Sequence, residues 1–294
     1  MKNDPVYNIY SCDLCDNDKP VEIECTKLYT DGNPIHVCGN CGFVYVRKRR
    51  SSNEIARMWS EEIYGDIYTA VNNPAMISRQ TFVTRFLLNE VNINNKTICD
   101  IGAGEGLFLK QVLSFKKAKD VFGIEPSKKN CKLLKDQNIS HFNGTIEEYL
   151  NNKEYKDKKF DIVSIMWTLE NCLSCIDMLR GAYDILNENG KIIVATGSRI
   201  LVPFKKPLFL YLSKNPLDSH SFRFSFNSLK TALAKTSFET IKHNRYIDND
   251  ILCIIAQKKE RNKEIVFEND NPNKVLDFFN RWHQDTLNYL DHKV

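Results

Sequence analysis

The sequence holds no run of about 18 uncharged apolar residues, the length a membrane-spanning helix needs, so no spanning segment is expected. It opens Met1-Lys2-Asn3-Asp4-Pro5, which lacks the apolar core of a secretory signal. A cytoplasmic location is the expectation, and there ten cysteines do not form a disulfide framework. Charge of one sign is scarce too: a net +4 decides little about partners. There is no internal repeat and no low-complexity tract. With 42% hydrophobic and 27% charged residues, the composition excludes a disordered chain, and 294 residues suffice for one large domain and a small one. The basic clusters, such as Arg47-Lys48-Arg49-Arg50, are expected on solvated faces; a surface for nucleotide diphosphates or RNA is the alternative.

Outside the secretory route, cysteine clusters are more often metal ligands or catalytic groups. Cys12-x-x-Cys15 and Cys38-x-x-Cys41 are two such knuckles. Each can present two thiolates from one tight turn, and together they make a tetrahedral S₄ set that suits Zn²⁺. Iron–sulfur or redox chemistry is the alternative. Gly39 and Gly42 suit the backbone of the second knuckle. Alternation of Val21, Ile23 and Cys25 with Glu22 and Glu24 predicts a strand, and Gly42 to Val46 a second. Residues 1–50 thus read as a zinc ribbon with a closed, structural site. About 40 residues bury little core, so the metal would supply much of the folding energy. Cys172-x-x-Cys175 has no second pair nearby and reads as two ordinary thiols at a helix start.

Arg47 to Asn53 reads as a linker, with Ser52 or Asn53 capping a helix from Glu54. Residues 51–95 form a helical lead-in. Beyond 95 strands and helices alternate: strands at Thr97–Ile101, Val121–Ile124, His141-Phe142, Phe160–Trp167 and Lys191–Thr196, then a hairpin of Phe238–Tyr246 and Ile251–Gln257. This alternation implies an α/β domain over 96–260, with a mainly parallel sheet that binds ligands at the carboxyl ends of its strands.

The first strand runs into Asp100-Ile101-Gly102-Ala103-Gly104-Glu105-Gly106. A dinucleotide fingerprint would place its third glycine at 107, where this chain has leucine. A carboxylate two residues before the first glycine is a poor neighbour for an anionic pyrophosphate. It suits the ammonium and sulfonium of S-adenosylmethionine. Strand two ends at Glu125-Pro126, where a carboxylate can accept both ribose hydroxyls. Gly144 and Thr145 follow strand three, where backbone and short polar groups can read adenine; strand four ends Met166-Trp167-Thr168-Leu169-Glu170.

On these motifs, with the turn Glu188-Asn189-Gly190-Lys191 into strand five, residues 96–258 resemble the class I S-adenosylmethionine-dependent methyltransferases. The resemblance implies a Rossmann-like, seven-stranded, mainly parallel sheet with an antiparallel last strand, and methyl transfer by in-line displacement. It implies a cofactor site of Asp100, Gly102, Ala103, Gly104, Gly106, Glu125, Pro126, Gly144, Thr145 and Trp167. Tyr64, Tyr68 and Arg79 precede strand one, where relatives cover the methionine end; of these Tyr68 and Arg79 are retained. A ribbon followed by this domain resembles bacterial methyltransferases of sugar, glycan or natural-product pathways. Many relatives have Leu-Glu-His after strand four; this chain has Leu169-Glu170-Asn171, and it ends before the further C-terminal domain of the sugar C-methyltransferases.

A histidine base must therefore come from elsewhere. The insert 197–227 offers His220, whose reference pKa near 6.5 suits proton removal from a hydroxyl; ordering of the loop is its alternative role. Arg223 is a weaker candidate, for a substrate phosphate. The expected acceptor is a small molecule or a nucleotide-linked sugar, methylated on oxygen. RNA ranks second, and no Asn-Pro-Pro-Tyr motif ends strand four. A non-catalytic binding protein that keeps the fold ranks third. In the tail, 261–294, Val275, Phe278, Phe279, Trp282 and Leu290 share one helical face, for packing on the main domain or on a second subunit as a homo-oligomer.

Overall fold

The computed structural model describes residues 7–30, 33–63, 73–115, 117–155, 157–203, 206–212, 220–261 and 267–291. At the N-terminus β1 (Tyr7–Ile9) pairs antiparallel with β5 (Lys48–Arg50). Between them β2 (Pro20–Glu22), β3 (Ile35–Cys38) and β4 (Val44–Val46) form an antiparallel ladder. The strand expected over Val21 to Cys25 stops at Glu22, and Glu24–Leu28 turns as a 3₁₀ helix. The cause is local. Thr26 Oγ1 donates to the Ile23 carbonyl at 2.7 Å and accepts from Ile35 N at 3.1 Å, which closes a turn where alternation alone predicted extension.

The expected linker at 47–53 is also structured. Lys48–Arg50 is a strand, and Arg49 is buried rather than solvated. Its guanidinium pairs with Asp13 at 2.9 Å, donates to the Leu173 carbonyl at 2.6 Å and stacks over Tyr10 and Phe222. Ser51, one residue earlier than expected, caps α1 (Ser52–Arg57) in a capping box with Glu54.

After α2 (Pro74–Glu90) comes the main sheet. Its strands are β6 (Thr97–Ile101), β7 (Asp120–Glu125), β8 (Ser140–Asn143), β9 (Phe160–Met166), β10 (Leu186–Thr196), β12 (Phe238–His243) and β13 (Leu252–Lys258). Their spatial order is β12-β13-β10-β9-β6-β7-β8. The five strands from β10 to β8 run parallel, and β12 and β13 run antiparallel to their neighbours. Among the connecting helices are α3 (Leu107–Ser114), α4 (Lys128–Asp136), α5 (Ile146–Asn151) and α6 (Cys175–Ile185). Ile98, Cys99, Val163, Ile165, Ile193 and Val194 are all buried, as strands covered on both faces require. The chain passes from β6 outward to β7 and β8, then returns to β9 on the other side of β6. That reversal is the switch point at which such sheets bind ligands.

The insert and tail close over the N-terminal strands. Within the insert, α7 (Leu208–Tyr211) is followed by β11 (Phe222–Arg223), which adds to the edge of β4 as a fourth strand of that ladder. The helix α8 (Phe226–Lys235) follows. In the tail helix α9 (Pro272–Asp291), Val275, Phe278, Phe279 and Trp282 bury against Ile23, Ile35, Val37 and Leu208. The chain itself covers that part of the apolar face; Leu290, toward the helix end, is 42% exposed. No helix among the described residues is long and apolar enough to cross a membrane.

Candidate active site

Two adjoining cavities open at the carboxyl ends of β6, β7 and β9. The first, of about 440 Å³, is lined by Asp100, Gly102, Ala103, Gly104 and Glu105 from the loop after β6, and by Met166, Trp167, Thr168, Glu170 and Asn171 after β9. Arg79 and Gln80 of α2, Gly197, Arg199 and His220 of the insert, and Asp250 before β13 also line it. The second, of about 120 Å³, is lined by Glu125, Pro126, Gly144, Thr145 and Ile146, with Ile55 and Ala56 of α1 over it. Trp59, Gly102, Trp167, Thr168 and Asn171 line both. The pair forms an elongated slot across the switch point.

Glu125 is buried, and its burial pushes the carboxyl up. One oxygen accepts from Gly104 N at 2.7 Å and the other from Ser127 N at 2.8 Å, which fixes the carboxylate against the glycine loop. Asn130 Nδ2 donates to the second oxygen as well, at 3.4 Å, so of a carboxylate's roughly four acceptor positions about one remains for a ligand. Asp100 is also buried. Its Oδ1 accepts from Ser164 Oγ at 2.6 Å, and desolvation pushes its carboxyl up to about 7. Gly106 lies on the loop as the residue before α3, at φ +79°; it lines neither of the two cavities.

Gly102 has φ +74°, and a Cβ there would run into the side chain of Thr168. Both features require glycine. Gly102→Ala is expected to displace Thr168 and weaken S-adenosylhomocysteine binding by about tenfold or more, measured by calorimetry on protein whose melting temperature is checked alongside.

After β9, Trp167 is held at φ +54°, a strained conformation for a bulky residue, while its N–H donates to Ala195 O at 2.8 Å. Glu170 is fully buried. Burial pushes its carboxyl up, opposed by the charge of His220 and by hydrogen bonds from Thr196 and Gly197. Three buried polar atoms at these walls, Trp167 Nε1, Glu170 Oε2 and Asn171 Oδ1, have no partner among the described residues. Unpaired buried polar atoms are costly unless a ligand completes them, so the slot fits a polar ligand.

The structure brings Asp100, Gly102, Ala103, Gly104, Glu125, Pro126, Gly144, Thr145, Trp167, Arg79 and His220 to the slot. Tyr64 and Tyr68 lie outside the described residues. Arg79 is ion-paired with Asp250 at 2.5 Å. Arg223 lines neither of these cavities; it is buried in β11 and donates to the carbonyl of His220 at 2.8 Å. Trp59, Arg199 and Asp250 were missed as site residues; they carry no motif, and tertiary folding alone brings them together.

The four thiols of Cys12, Cys15, Cys38 and Cys41 lie within 4.8 Å of one another. Cys12 and Cys41 Sγ are 3.6 Å apart, and Cys15 and Cys38 Sγ 3.4 Å. Four sulfurs at 2.3 Å from one Zn²⁺ would be about 3.8 Å apart. The cluster therefore fits a zinc module. Mutual hydrogen bonding pushes the thiol of Cys12 up and pulls that of Cys38 down, a crowding of charge that a divalent cation would relieve. Cys172 and Cys175 are buried thiols, pushed up by desolvation.

A family model described as a methyltransferase domain matches residues 78–243, more than half of the chain. The chain belongs to this family. No curated protein matches the sequence. Among solved structures, a chain of the complex between the Haloferax volcanii Trm112 methyltransferase activator and a methyltransferase superposes with a TM-score of 0.53 at 13% identity, over 65% of this chain and 96% of that one. Magnesium protoporphyrin IX methyltransferase from Synechocystis PCC 6803, with bound S-adenosylhomocysteine, gives 0.51 at 12% identity, over 70% of this chain and 99% of that one. At such identities the likeness is one of fold. The sheet order, the glycine loop and the family match make this chain a class I S-adenosylmethionine-dependent methyltransferase.

Proposed function

We propose that this methyltransferase methylates a hydroxyl of a small molecule or glycan precursor, with nucleotide-linked sugars among the candidate acceptors, and that His220 removes the hydroxyl proton. The observation that carries this reading is the placement of His220 and Glu170 in the same cavity as Asp100 and the glycine loop. A bound S-adenosylmethionine supplies an electrophilic methyl group on sulfur. Glu125 would take the ribose hydroxyls, with Pro126, Gly144 and Thr145 around the adenine. Asp100 would face the ammonium group, and Gly102, Ala103 and Gly104 would let the ligand approach the backbone, with Gly106 turning the loop into α3 behind them. Trp167 and Arg79 would flank the methionine end, and Tyr68 belongs to the same proposal. The cysteine quartet would hold one structural Zn²⁺ with no open position. A cavity of about 440 Å³ with walls on several sides suits a small acceptor better than an RNA strand.

Calorimetry tests the cofactor assignment. S-adenosylhomocysteine should bind, and Glu125→Ala should weaken it by at least about tenfold, because a buried hydroxyl bond to a charged group is lost and the glycine loop loses its anchor at Gly104 N. The pH dependence has a definite sign. Burial pushes the Asp100 carboxyl up to about 7, and its ionised form attracts the ammonium. Affinity should therefore rise with pH up to about 7 and level off above, falling up to about tenfold for each unit below. A flat profile with undiminished binding in Glu125→Ala would reject the assignment.

A further inference from the structure

Asp100 and Glu105 line the larger cavity on the loop after β6, where a cationic cofactor is expected, and Glu170, after β9, is held by Thr196 and Gly197 at the end of β10. Across from the glycine loop, Arg199 lines the cavity after β10; Arg79 of α2, paired with Asp250, and Lys206 also line it. Arg199 is only 7% exposed. A guanidinium has five N–H donors, yet Arg199 has one hydrogen bond, from Nη1 to the Tyr246 carbonyl at 3.3 Å. The Asp250 carboxylate favours its charge, but the Nε and Nη2 of Arg79 already hold Asp250, at 2.6 and 2.5 Å. Burial works against the Arg199 charge. A buried cation with unused donors facing a ligand cavity lacks one thing, an oxyanion of planar or tetrahedral geometry.

The place of Arg199 says which ligand supplies that oxyanion. In the sheet order β10 is two strands from β6, and β13 is three. At about 4.8 Å per strand these stand roughly 10 and 14 Å from the strand that bears the glycine loop. Arg199 follows β10 by three residues, on the same turn as Gly197, and its backbone is fixed by a bridge to Phe224, next to β11. His220 lies just before β11. The cation thus belongs with the proposed base, on the far side of the cavity from the glycine loop.

We infer that Arg199 is the anion-recognition residue of the acceptor site, and that the methyl acceptor carries a carboxylate or phosphate group. This rests on the methyl-transfer reading above, and the test separates the two. Calorimetry on the full chain begins with S-adenosylhomocysteine; failure of the wild type to bind it sinks the methyl-transfer reading. Phenyl phosphate and phenol are then titrated, with and without S-adenosylhomocysteine. Phenyl phosphate should bind at least about tenfold more tightly than phenol, and Arg199→Met should remove most of that difference while changing S-adenosylhomocysteine affinity less than about threefold. Arg199→Lys should recover part of it. If Arg199→Met instead weakens S-adenosylhomocysteine, and leaves the affinity of methylthioadenosine unchanged, the guanidinium serves the cofactor's own carboxylate and the inference is wrong. Equal binding of phenyl phosphate and phenol to the wild type also overturns it, and needs no variant.

Discussion

Replacing His220 by alanine is expected to lower kcat by about 10²-fold or more while leaving the dissociation constant of S-adenosylhomocysteine within about twofold. An alcohol is a weak nucleophile, and its attack on a sulfonium methyl leaves a proton that must go to a base as the C–O bond forms. A positioned base contributes roughly 10²- to 10⁴-fold. His220 lines the cavity together with Glu170, a buried carboxyl with one oxygen unpaired among the described residues. A carboxylate beside an imidazole fixes its orientation and favours the imidazolium that forms on proton transfer. Glu170→Gln should therefore fall between wild type and His220→Ala in kcat, with little change in cofactor affinity. Steady-state kinetics on an accepted substrate, with calorimetry in parallel, reads both quantities. Equal losses in turnover and cofactor binding would mark His220 as a structural histidine, and the base would have to be sought elsewhere.

The sheet was legible because its inner strands are covered on both faces and read as short apolar runs between turn signals, whereas the edge strands β8 and β12 are largely exposed. The glycine loop was legible because its residues are consecutive, and Glu125 because it ends the next strand. The cysteine quartet was legible because each knuckle holds its two thiols three residues apart. The missed residues have the opposite property. Arg199, Asp250 and Trp59 lie far apart in the chain and meet only because the end of β10, the β12–β13 turn and the helical turn that follows α1 converge. Arg49 misled for a related reason. A run of four basic residues has the composition of a solvated face, but β5 alternates, and the alternation points one guanidinium inward onto Asp13. The strand predicted at Val21 to Cys25 failed where a single threonine hydroxyl offered the backbone a turn instead. Periodicity does not see such local competition.

Removing the metal from the cysteine quartet is expected to cost turnover more than it costs cofactor affinity. Metal analysis of protein purified without added zinc should first find one zinc per chain. A structural zinc contributes about 10–16 kcal/mol to the folding of small modules. Even a loss of about 4 kcal/mol would lower the melting temperature of a domain of this size by roughly 10 °C. The N-terminal ladder is also continuous with the acceptor wall. Val46 N donates to Ser221 O at 2.8 Å, and Phe222 and Arg223 pair with Tyr45 and Val44, so β4 holds the segment that begins at His220. Arg49 ties the same module to Leu173, next to the residues after β9 that line the slot. Loosening the knuckles would release His220 first, whereas Glu125 and the glycine loop rest on the main sheet. Cys38→Ser, or wild type treated with a chelator at a temperature where it stays soluble, should thus lose at least about tenfold in kcat with a smaller change in S-adenosylhomocysteine affinity. Should Cys38→Ser prove insoluble, the chelator titration carries the test, followed by loss of the scanning-calorimetry transition and its recovery on adding Zn²⁺. Wild type that is metal-free, melts at an unchanged temperature and turns over fully would reject both the zinc assignment and the coupling.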